Sequence, residues 1–274
     1  MKVWFITGAS KGLGREWATA ALDRGDRVAA TVRDLATLDE LVGRFGESLL
    51  PLELDVTDRA ADFAAVEHAA AHFGRLDVVV NNAGYGQFGM IEELSEAEAR
   101  AQLETNLLAP LWITQAALPI LRAQGSGHIL QVSSIGGITA FRNVGIYHAS
   151  KWALEGMSQS LAQEVSRFGV RVTLLEPGPY STDWAGPSAR HATALPAYEP
   201  VRELAAAAIA ARPTRPGDPA ATSGPVLEIV DAADPPLRAF LGSLPLSLAR
   251  ADYEGRLTEW DAGQQLAVRA HGVT

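Results

Sequence analysis

Near its start the chain reads Val3-Trp4-Phe5-Ile6-Thr7-Gly8-Ala9-Ser10-Lys11-Gly12-Leu13-Gly14, a short apolar strand that runs directly into a glycine-rich turn. A helical pattern follows the turn at residues 15–24. Strand, turn and helix in this order present helix N-terminal amides to a phosphate, and glycine permits close approach of the backbone. A plain strand-to-helix turn is the alternative, but the flanking strand and helix favour a phosphate site.

Strands and helices continue to alternate as far as residue 175. Apolar segments that predict strands lie at residues 3–6, 27–32, 49–54, 76–80, 128–132 and 170–175, with one more at 239–241. Helical patterns lie at residues 15–24, 35–45, 59–73, 95–122 and 147–168, and later at 204–212, 227–232 and 247–260. The alternation predicts a Rossmann-type α/β fold, a doubly wound parallel sheet in three layers, α/β/α.

The length of the chain favours one large domain over residues 1–274. Residues 179–225 are polar, aromatic and rich in Gly and Pro, so we expect a substrate loop or lid there. Residues 243–274 are expected to form a C-terminal helical extension. Pro110 and Pro119 are expected to bend the helix predicted at residues 95–122.

Composition excludes several classes of function. The chain has no cysteine, which excludes disulfides. Its net charge of −9 argues against nucleic acid and an anionic membrane surface as partners. The N-terminus lacks the apolar core of a signal peptide, and we expect a cytoplasmic protein. His68 and His72 lie on one helix face without a third ligand nearby, so no metal site is expected.

Tyr147 and Lys151 are four residues apart, so on a helix both side chains leave the same face. An ammonium beside a phenol favours the phenolate and should lower the phenol pKa. A phenol tuned in this way can exchange a proton with a substrate oxygen. Ser134, after the apolar segment 128–132, could bind the same oxygen. A half-buried Tyr beside a Lys whose amine reaches solvent is the alternative for this pair.

The second predicted strand ends in Val32-Arg33-Asp34. In a dinucleotide fold this end meets the adenine ribose, where an acidic residue selects the 2′-hydroxyl and an Arg accommodates a 2′-phosphate. Arg33, together with Lys11 in the glycine turn, favours NADP over NAD. Solvated surface charges are the alternative, and Asp34 next to Arg33 weakens the preference.

The residues quoted so far belong to a longer series that resembles the short-chain dehydrogenase/reductases. The series follows that family's order and spacing over about the first two-thirds of the chain: Thr7 to Gly14, Asp55-Val56, Asn81 to Gly84, Asn106, Ser134, Tyr147, Lys151 and Pro177-Gly178. A looser resemblance, in residues 31–35 and 234–238, is to the NADP-dependent hydroxysteroid and retinol dehydrogenase branch.

The resemblance implies a catalytic set of Asn106, Ser134, Tyr147 and Lys151, in which Asn106 holds a water that links Lys151 to solvent. It also implies a cofactor site for NADP(H). Its residues would be Gly8, Ser10, Lys11, Gly12, Leu13, Gly14, Arg33, Asp55, Val56, Asn82, Ala83, Gly84, Tyr147, Lys151, Pro177, Gly178 and Thr182. Ser133 adjoins Ser134, so the choice of Ser134 rests on its spacing to Tyr147. Pro225 is expected to delay or kink a helix that the branch forms there.

These features predict an NADP(H)-dependent carbonyl reductase or alcohol dehydrogenase acting on a mainly apolar small molecule. Aromatic residues expected to border the pocket are Tyr85, Phe88, Phe141, Tyr180 and Trp184. The alternatives are a non-catalytic NAD(P)-sensing regulator on the same fold and an NAD-preferring alcohol dehydrogenase. By resemblance, the assembly is a homodimer or homotetramer.

Overall fold

The structure, a computed structural model, describes residues 1–211 and 215–272. Its strands are β1 Val3–Thr7, β2 Arg27–Val32, β3 Leu49–Glu53, β4 Val78–Asn81, β5 Gln87–Phe88, β6 Gly127–Val132, β7 Val170–Pro177, β8 Arg190–His191 and β9 Arg238–Leu241. Its α-helices are α1 Gly12–Asp23, α2 Asp39–Phe45, α3 Arg59–Phe73, α4 Glu96–Leu103, α5 Ala109–Gln124, α6 Gly145–Val165, α7 Glu199–Ala210, α8 Ser223–Asp231 and α9 Pro245–Ala270.

Seven strands form one parallel sheet in the order β3-β2-β1-β4-β6-β7-β9. The order reverses between β1 and β4, which places a crevice at their carboxyl ends. Side chains from β1 alternate between the two faces, Trp4 and Ile6 towards one core and Val3 and Phe5 towards the other. The Rossmann-type doubly wound fold predicted from the alternating segments is therefore confirmed.

The helix predicted at residues 95–122 is interrupted. A π-helical segment, Glu104–Leu108, separates α4 from α5 and carries Asn106. Pro110 lies in the first turn of α5, and α5 continues through Pro119. A π-helical turn inserts an extra residue into the helix and often marks a functional site. The sequence pattern does not predict this interruption, because apolar residues continue on both sides of it.

Pro225 lies in the first turn of α8, which begins two residues earlier at Ser223. The missing N–H of a proline has no intrahelical partner in a first turn, so the expected late start is wrong. The strand predicted at residues 239–241 is β9. Arg212, the predicted end of the helix at 204–212, lies outside the described residues, and α7 covers the rest of that prediction.

The region predicted to be a lid contains more regular structure than its composition suggests. Its β8 pairs in parallel with β5, forming a separate two-stranded sheet. Two 3₁₀ turns, Asp183–Ala185 and Pro196–Tyr198, lie between β7 and α7. Of the predicted lid, residues 212–214 are not described, and of the predicted extension, residues 273–274 are not. Among the helices of residues 1–211 and 215–272, none is both long and apolar enough to cross a bilayer.

Candidate active site

The predicted site residues converge on the carboxyl edge of the main sheet. The glycine turn leaves β1, Arg33 follows β2, Asn82 follows β4 and Ser134 follows β6. Because all seven strands are parallel, these positions share one edge, around the crevice between β1 and β4. In the described parts of the chain, no group of three or more His, Cys, Asp or Glu side chains could hold a metal ion.

The glycine turn has the backbone that a phosphate site needs. Gly8 and Gly12 both have positive φ, 68° and 59°. The N-cap residue of α1, Lys11, makes no side-chain hydrogen bond to the helix, and the first turn holds no acidic residue. The first amides of α1 therefore keep their donors available for an anion. A Cβ on Gly12 would make only ordinary van der Waals contact, with Thr182 Cγ2 at 3.5 Å, so the positive φ is the stronger reason for a glycine there.

Two of the glycines have a packing role in addition. A Cβ on Gly8 would lie 2.9 Å from the Ala83 backbone, and one on Gly14 would collide with the Asn82 amide. Asn82 Nδ2 donates to the carbonyls of Thr7 and Gly8 at 2.8 and 3.0 Å. Asn82 and Ala83 thus connect the turn after β4 to the glycine turn after β1 and stabilise the conformation of the candidate phosphate site.

The predicted 2′-phosphate residues lie at the carboxyl end of β2 and in the glycine turn. Lys11 forms an ion pair with Asp183 at 2.7 Å, and its role at a 2′-phosphate stays a prediction. Arg33 is exposed and has no hydrogen bond or ion pair within the described residues. Ser10 lies next to Lys11 in the same turn, half-buried. Among the described residues at this end of the crevice, Arg33 thus presents an unpaired guanidinium, whereas Lys11 is paired.

The remaining predicted cofactor residues flank the crevice. Asp55 accepts hydrogen bonds from the Thr57 backbone and side chain, which hold the pKa of Asp55 below its usual value. Val56 is buried in the core beneath β3, and Leu13 packs on the core from α1.

On the other side of the crevice, Pro177 ends β7, and Gly178 N–H donates to Leu241 of β9. Thr182 caps the 3₁₀ turn Asp183–Ala185 and touches the position above Gly12.

Tyr147 and Lys151 lie together near the start of α6. The Lys151 amine is 5.9 Å from the centre of the Tyr147 ring and donates to the Val132 carbonyl at 2.7 Å. Both side chains are buried, at 6 % exposure each. Burial lowers the pKa of Lys151 to about 8, although nearby Glu155 opposes the change. The helical spacing correctly placed both side chains on one face, and the buried amine of Lys151 argues against the alternative of an amine that reaches solvent.

The prediction that the ammonium lowers the phenol pKa is wrong in this structure. Burial raises the pKa of Tyr147 to about 12, and a hydrogen bond with Ser134 offsets only part of the increase. Desolvation penalises the phenolate, and this penalty sets the direction of the shift. Near neutral pH the Tyr147 hydroxyl therefore carries its proton.

The adjacent serines Ser133 and Ser134 point in different directions. Ser134 lies close to the Tyr147 hydroxyl, and its oxygen also accepts from Gly136 N–H at 2.9 Å. Ser133 turns the other way, towards Glu155. The position chosen from sequence spacing is the one that faces the phenol.

Asn106 is fully buried in the π-helical segment. Its Oδ1 accepts from Tyr85 N–H at 3.2 Å, and its Nδ2 donates to Tyr85 O at 3.1 Å and Ser150 Oγ at 3.3 Å. The side chain therefore fixes the loop after β4 to α6. The water relay suggested by resemblance stays a prediction.

Trp184 covers the phenol. Its ring centre lies 4.9 Å from that of Tyr147 and 5.5 Å from that of Phe88, which stacks in turn on His191. Gly86 allows the approach, because a Cβ there would lie 2.7 Å from the indole. The rings of Phe88, Trp184 and His191 form an apolar wall beside Tyr147. The sequence does not indicate that His191 belongs to this wall, since it reaches the wall only through the pairing of β8 with β5.

The other predicted pocket aromatics lie elsewhere. Tyr85 packs beneath Arg190, whose guanidinium is 4.3 Å from the ring centre. Tyr180 packs against Gly217, away from the wall. Phe141 is 38 % exposed and lies next to His148.

Sequence analysis missed His148, which is buried beside Tyr147. Its Nε2 accepts from Phe141 N–H at 2.8 Å, so Nδ1 carries the proton and donates to Gly136 O at 2.7 Å. Burial keeps the pKa of His148 below its usual value. This neutral imidazole fastens the loop that carries Ser134 to the start of α6.

Comparison with known proteins adds independent support. The sequence model of the short chain dehydrogenase family matches residues 2–192. "Oxidoreductase BOA17" of Botryotinia fuckeliana is 43 % identical over 243 residues, covering 88 % of this chain and 89 % of that protein. A short-chain dehydrogenase from Streptomyces avermitilis has a TM-score of 0.88 at 35 % identity, with 97 % of both chains covered. A metagenomic short-chain oxidoreductase solved with NADP has a TM-score of 0.71 at 27 % identity, covering 88 % of this chain and 96 % of that one.

Proposed function

The chain belongs to the short-chain dehydrogenase family, and from this premise we propose that it is an NADP(H)-dependent oxidoreductase that interconverts a ketone or aldehyde and an alcohol. Its substrate is a mainly apolar small molecule. The observation that carries the proposal is the buried Tyr147 hydroxyl, beside Lys151 and Ser134 and against an apolar wall, at the sheet edge where the glycine turn lies.

The residues around the crevice fit a dinucleotide. The open first turn of α1 offers amide donors to the pyrophosphate. Arg33 offers a guanidinium to a 2′-phosphate at the end of β2. When bound, NADP(H) supplies or accepts the hydride, and the protein supplies position and charge. The solved relative that holds NADP supports the same choice of cofactor.

In the direction of reduction, Tyr147 donates its proton to the carbonyl oxygen as that oxygen gains negative charge. The hydroxyl is protonated near neutral pH because of its burial, which suits this role. Ser134 donates a second hydrogen bond to the same oxygen and orients it. Lys151 stabilises the phenolate that remains. In the direction of oxidation the proton returns to Tyr147.

The substrate class follows from the wall. Trp184 packs on the Tyr147 ring, Phe88 packs on Trp184, and His191 stacks on Phe88. Such a surface binds apolar or aromatic groups next to the reacting carbonyl. A small polar substrate would leave the rings unfilled.

Replacement of Tyr147 by Phe tests the proposal. Loss of the acid is expected to lower kcat by about a hundredfold or more, while NADPH binding, measured by fluorescence, changes little. The control is Tyr253→Phe, a 45 % exposed tyrosine on α9. Wild-type rates in Tyr147→Phe, with a panel of apolar ketones and aldehydes, would remove Tyr147 from the reaction. NADPH binding without turnover by the wild-type protein would favour the sensing alternative.

A further inference from the structure

A second group of charged side chains lies buried one helical turn beyond Lys151. Glu155 on α6 is 5 % exposed, and Glu176 on β7 is completely buried. Arg238, at the start of β9, reaches both of them. Three elements from distant parts of the chain thus bring two carboxyl groups and one guanidinium together in the interior, where unpaired charge is costly.

The contacts of these groups leave one carboxyl without a donor. Arg238 Nε lies 2.9 Å from Glu155 and 3.5 Å from Glu176, and Nη2 donates to Gln159 at 2.9 Å. Neither oxygen of Glu176 accepts a hydrogen bond from a nitrogen or hydroxyl of the described residues. The two carboxyl groups lie within hydrogen-bonding reach of each other. A proton shared between them satisfies these oxygens, because two adjacent buried carboxyls do not both ionise.

This group is joined to the proposed active site. A Cβ placed on Gly137 would lie 2.6 Å from Ser133 Oγ and 3.0 Å from Glu155 Cγ, so these two side chains are neighbours. Ser133 directly precedes Ser134. Lys151, one turn before Glu155 on α6, donates to the carbonyl of Val132, which directly precedes Ser133. Glu155 therefore pairs with the guanidinium of Arg238 and lies one helical turn from Lys151, to which it is joined through Val132 and Ser133 and not by a direct ion pair.

We infer that Glu155, held by Arg238 and by the protonated carboxyl of Glu176, is the counter-charge that keeps the buried amine of Lys151 protonated. Glu155 is thus a positioning residue that acts through Lys151. The inference rests on the proposed function, since it concerns the charge beside Tyr147 during proton transfer. The chemistry requires Lys151 to be positive so that it can stabilise the Tyr147 phenolate.

The charges around Lys151 support this assignment. On α6 the titratable neighbours are Tyr147 and His148, both neutral near pH 7, and Glu155. From the elements packed against α6, β7 contributes Glu176 and β9 contributes Arg238; the π-helical segment contributes the neutral Asn106, and β6 a carbonyl.

The pKa shifts of these groups agree with the assignment of the charge to Glu155. Burial and the neighbouring Glu155 raise the pKa of Glu176 to about 8, so Glu176 is neutral at pH 7. Burial raises the pKa of Glu155 as well, but Ser133 and Arg238 oppose this rise. Arg238 lies nearer to Glu155 than to Glu176, at 2.9 Å against 3.5 Å, so Glu155 is assigned the negative charge, and its field raises the pKa of Lys151 against the effect of burial.

The test is the pH profile of kcat/KM for NADPH-dependent carbonyl reduction by Glu155→Gln. Loss of the counter-charge should move the alkaline limb, set by deprotonation of Lys151, to lower pH by about one unit. Glu155→Asp keeps the charge and should restore most of the wild-type limb. Glu164→Gln is the matched control, an exposed glutamate on the same helix. A merely structural role for Glu155 would lower the rate at every pH without moving the limb.

Glu176→Gln decides which carboxyl carries the charge. An amide resembles the protonated acid, so the limb is expected to stay in place in this variant. An unmoved limb in Glu155→Gln, or a limb that moves in Glu176→Gln instead, overturns the inference.

A second measurement separates this inference from the proposed function, because it needs no turnover. Folding stability is measured by chemical denaturation from pH 6 to 10 for the wild type and Glu155→Gln. Folded Lys151 gives up its proton at lower pH than the unfolded chain, so its linkage makes stability rise with pH above about 8. In Glu155→Gln this rise should begin at lower pH. If the rise does not move, the inference fails even where turnover is absent, and if it moves without turnover, only the proposed function fails.

Discussion

At the carboxyl end of β2, one exposed guanidinium is the residue on which the proposed preference for NADP rests. Arg33 follows β2 and has no competing partner in the described residues, whereas Lys11 is paired with Asp183. A carboxylate at the position of Arg33 would accept from a ribose 2′-hydroxyl and repel a 2′-phosphate.

Arg33→Asp is therefore expected to shift the ratio of kcat/KM for NADPH over NADH towards NADH by about tenfold or more, since a lost charge-assisted hydrogen bond is worth about 1.5–3 kcal/mol. Arg167→Asp, an exposed charge just after α6, controls for the change in net charge. An unchanged ratio in Arg33→Asp would mean that the 2′-phosphate is read elsewhere, with Lys11 the next residue to test.

Some of these residues could be predicted from the sequence and others could not. Tyr147 and Lys151 are four apart on one helix, so their contact is local and their spacing is sufficient. The ion pair of Lys11 with Asp183 joins residues 172 positions apart, across a loop whose path no pattern encodes. The phenol pKa was misjudged for a related reason: sequence gives the neighbouring amine, but the degree of burial belongs to the folded chain.

At the scale of elements, regular alternation made the main sheet predictable, because each buried parallel strand is a continuous apolar run. The π-helical segment and the pairing of β5 with β8 were missed. Two-residue strands are too short for a periodic signal, and a π-helical turn depends on packing between α4, α5 and α6. The lid elements thus become visible only with the tertiary structure.

One carboxylate anchors α7 to the body of the protein. Glu93, 1 % exposed at its side chain, accepts from Arg202 at 2.6 Å and from Leu195 N–H at 2.8 Å. These contacts and the Met90 N–H lower the pKa of Glu93 to about 2. Because the folded pKa is depressed, the anchor contributes stability above the normal pKa of a glutamate and loses it only as pH falls towards 2.

Glu93→Gln is expected to release α7 and accelerate limited proteolysis between residues 192 and 211 by about tenfold, because a charge-assisted contact is lost. The KM for substrate should also rise in Glu93→Gln. Glu96→Gln, an exposed glutamate paired within α4, is the control. Equal cleavage rates in the two variants would show that α7 is held by its other contacts.

At the scale of the whole molecule, the interior also holds a carboxyl group, Asp62, that belongs neither to the proposed reaction nor to the group around Glu155. Asp62 on α3 is completely buried, and neither of its oxygens accepts a hydrogen bond from a described residue. Burial, with Asp58 and Asp55 nearby, raises the pKa of Asp62 to about 7. A carboxyl whose folded pKa is raised binds its proton more tightly in the folded state, so its contribution to stability is lost as pH rises through 7.

Asp62→Leu replaces this group with an apolar side chain of greater volume in the same core. Relative to the wild type, the variant should gain about 2–3 kcal/mol in the free energy of unfolding between pH 5 and pH 8.5, since it no longer buries a carboxylate at high pH. Urea denaturation at the two pH values measures the change, and the comparison between pH values cancels any constant packing cost of the larger side chain. Glu67→Gln, an exposed glutamate on the same helix, separates the effect of burial from that of net charge. A pH-independent difference between wild type and Asp62→Leu would mean that Asp62 titrates near its ordinary pKa and that water reaches it.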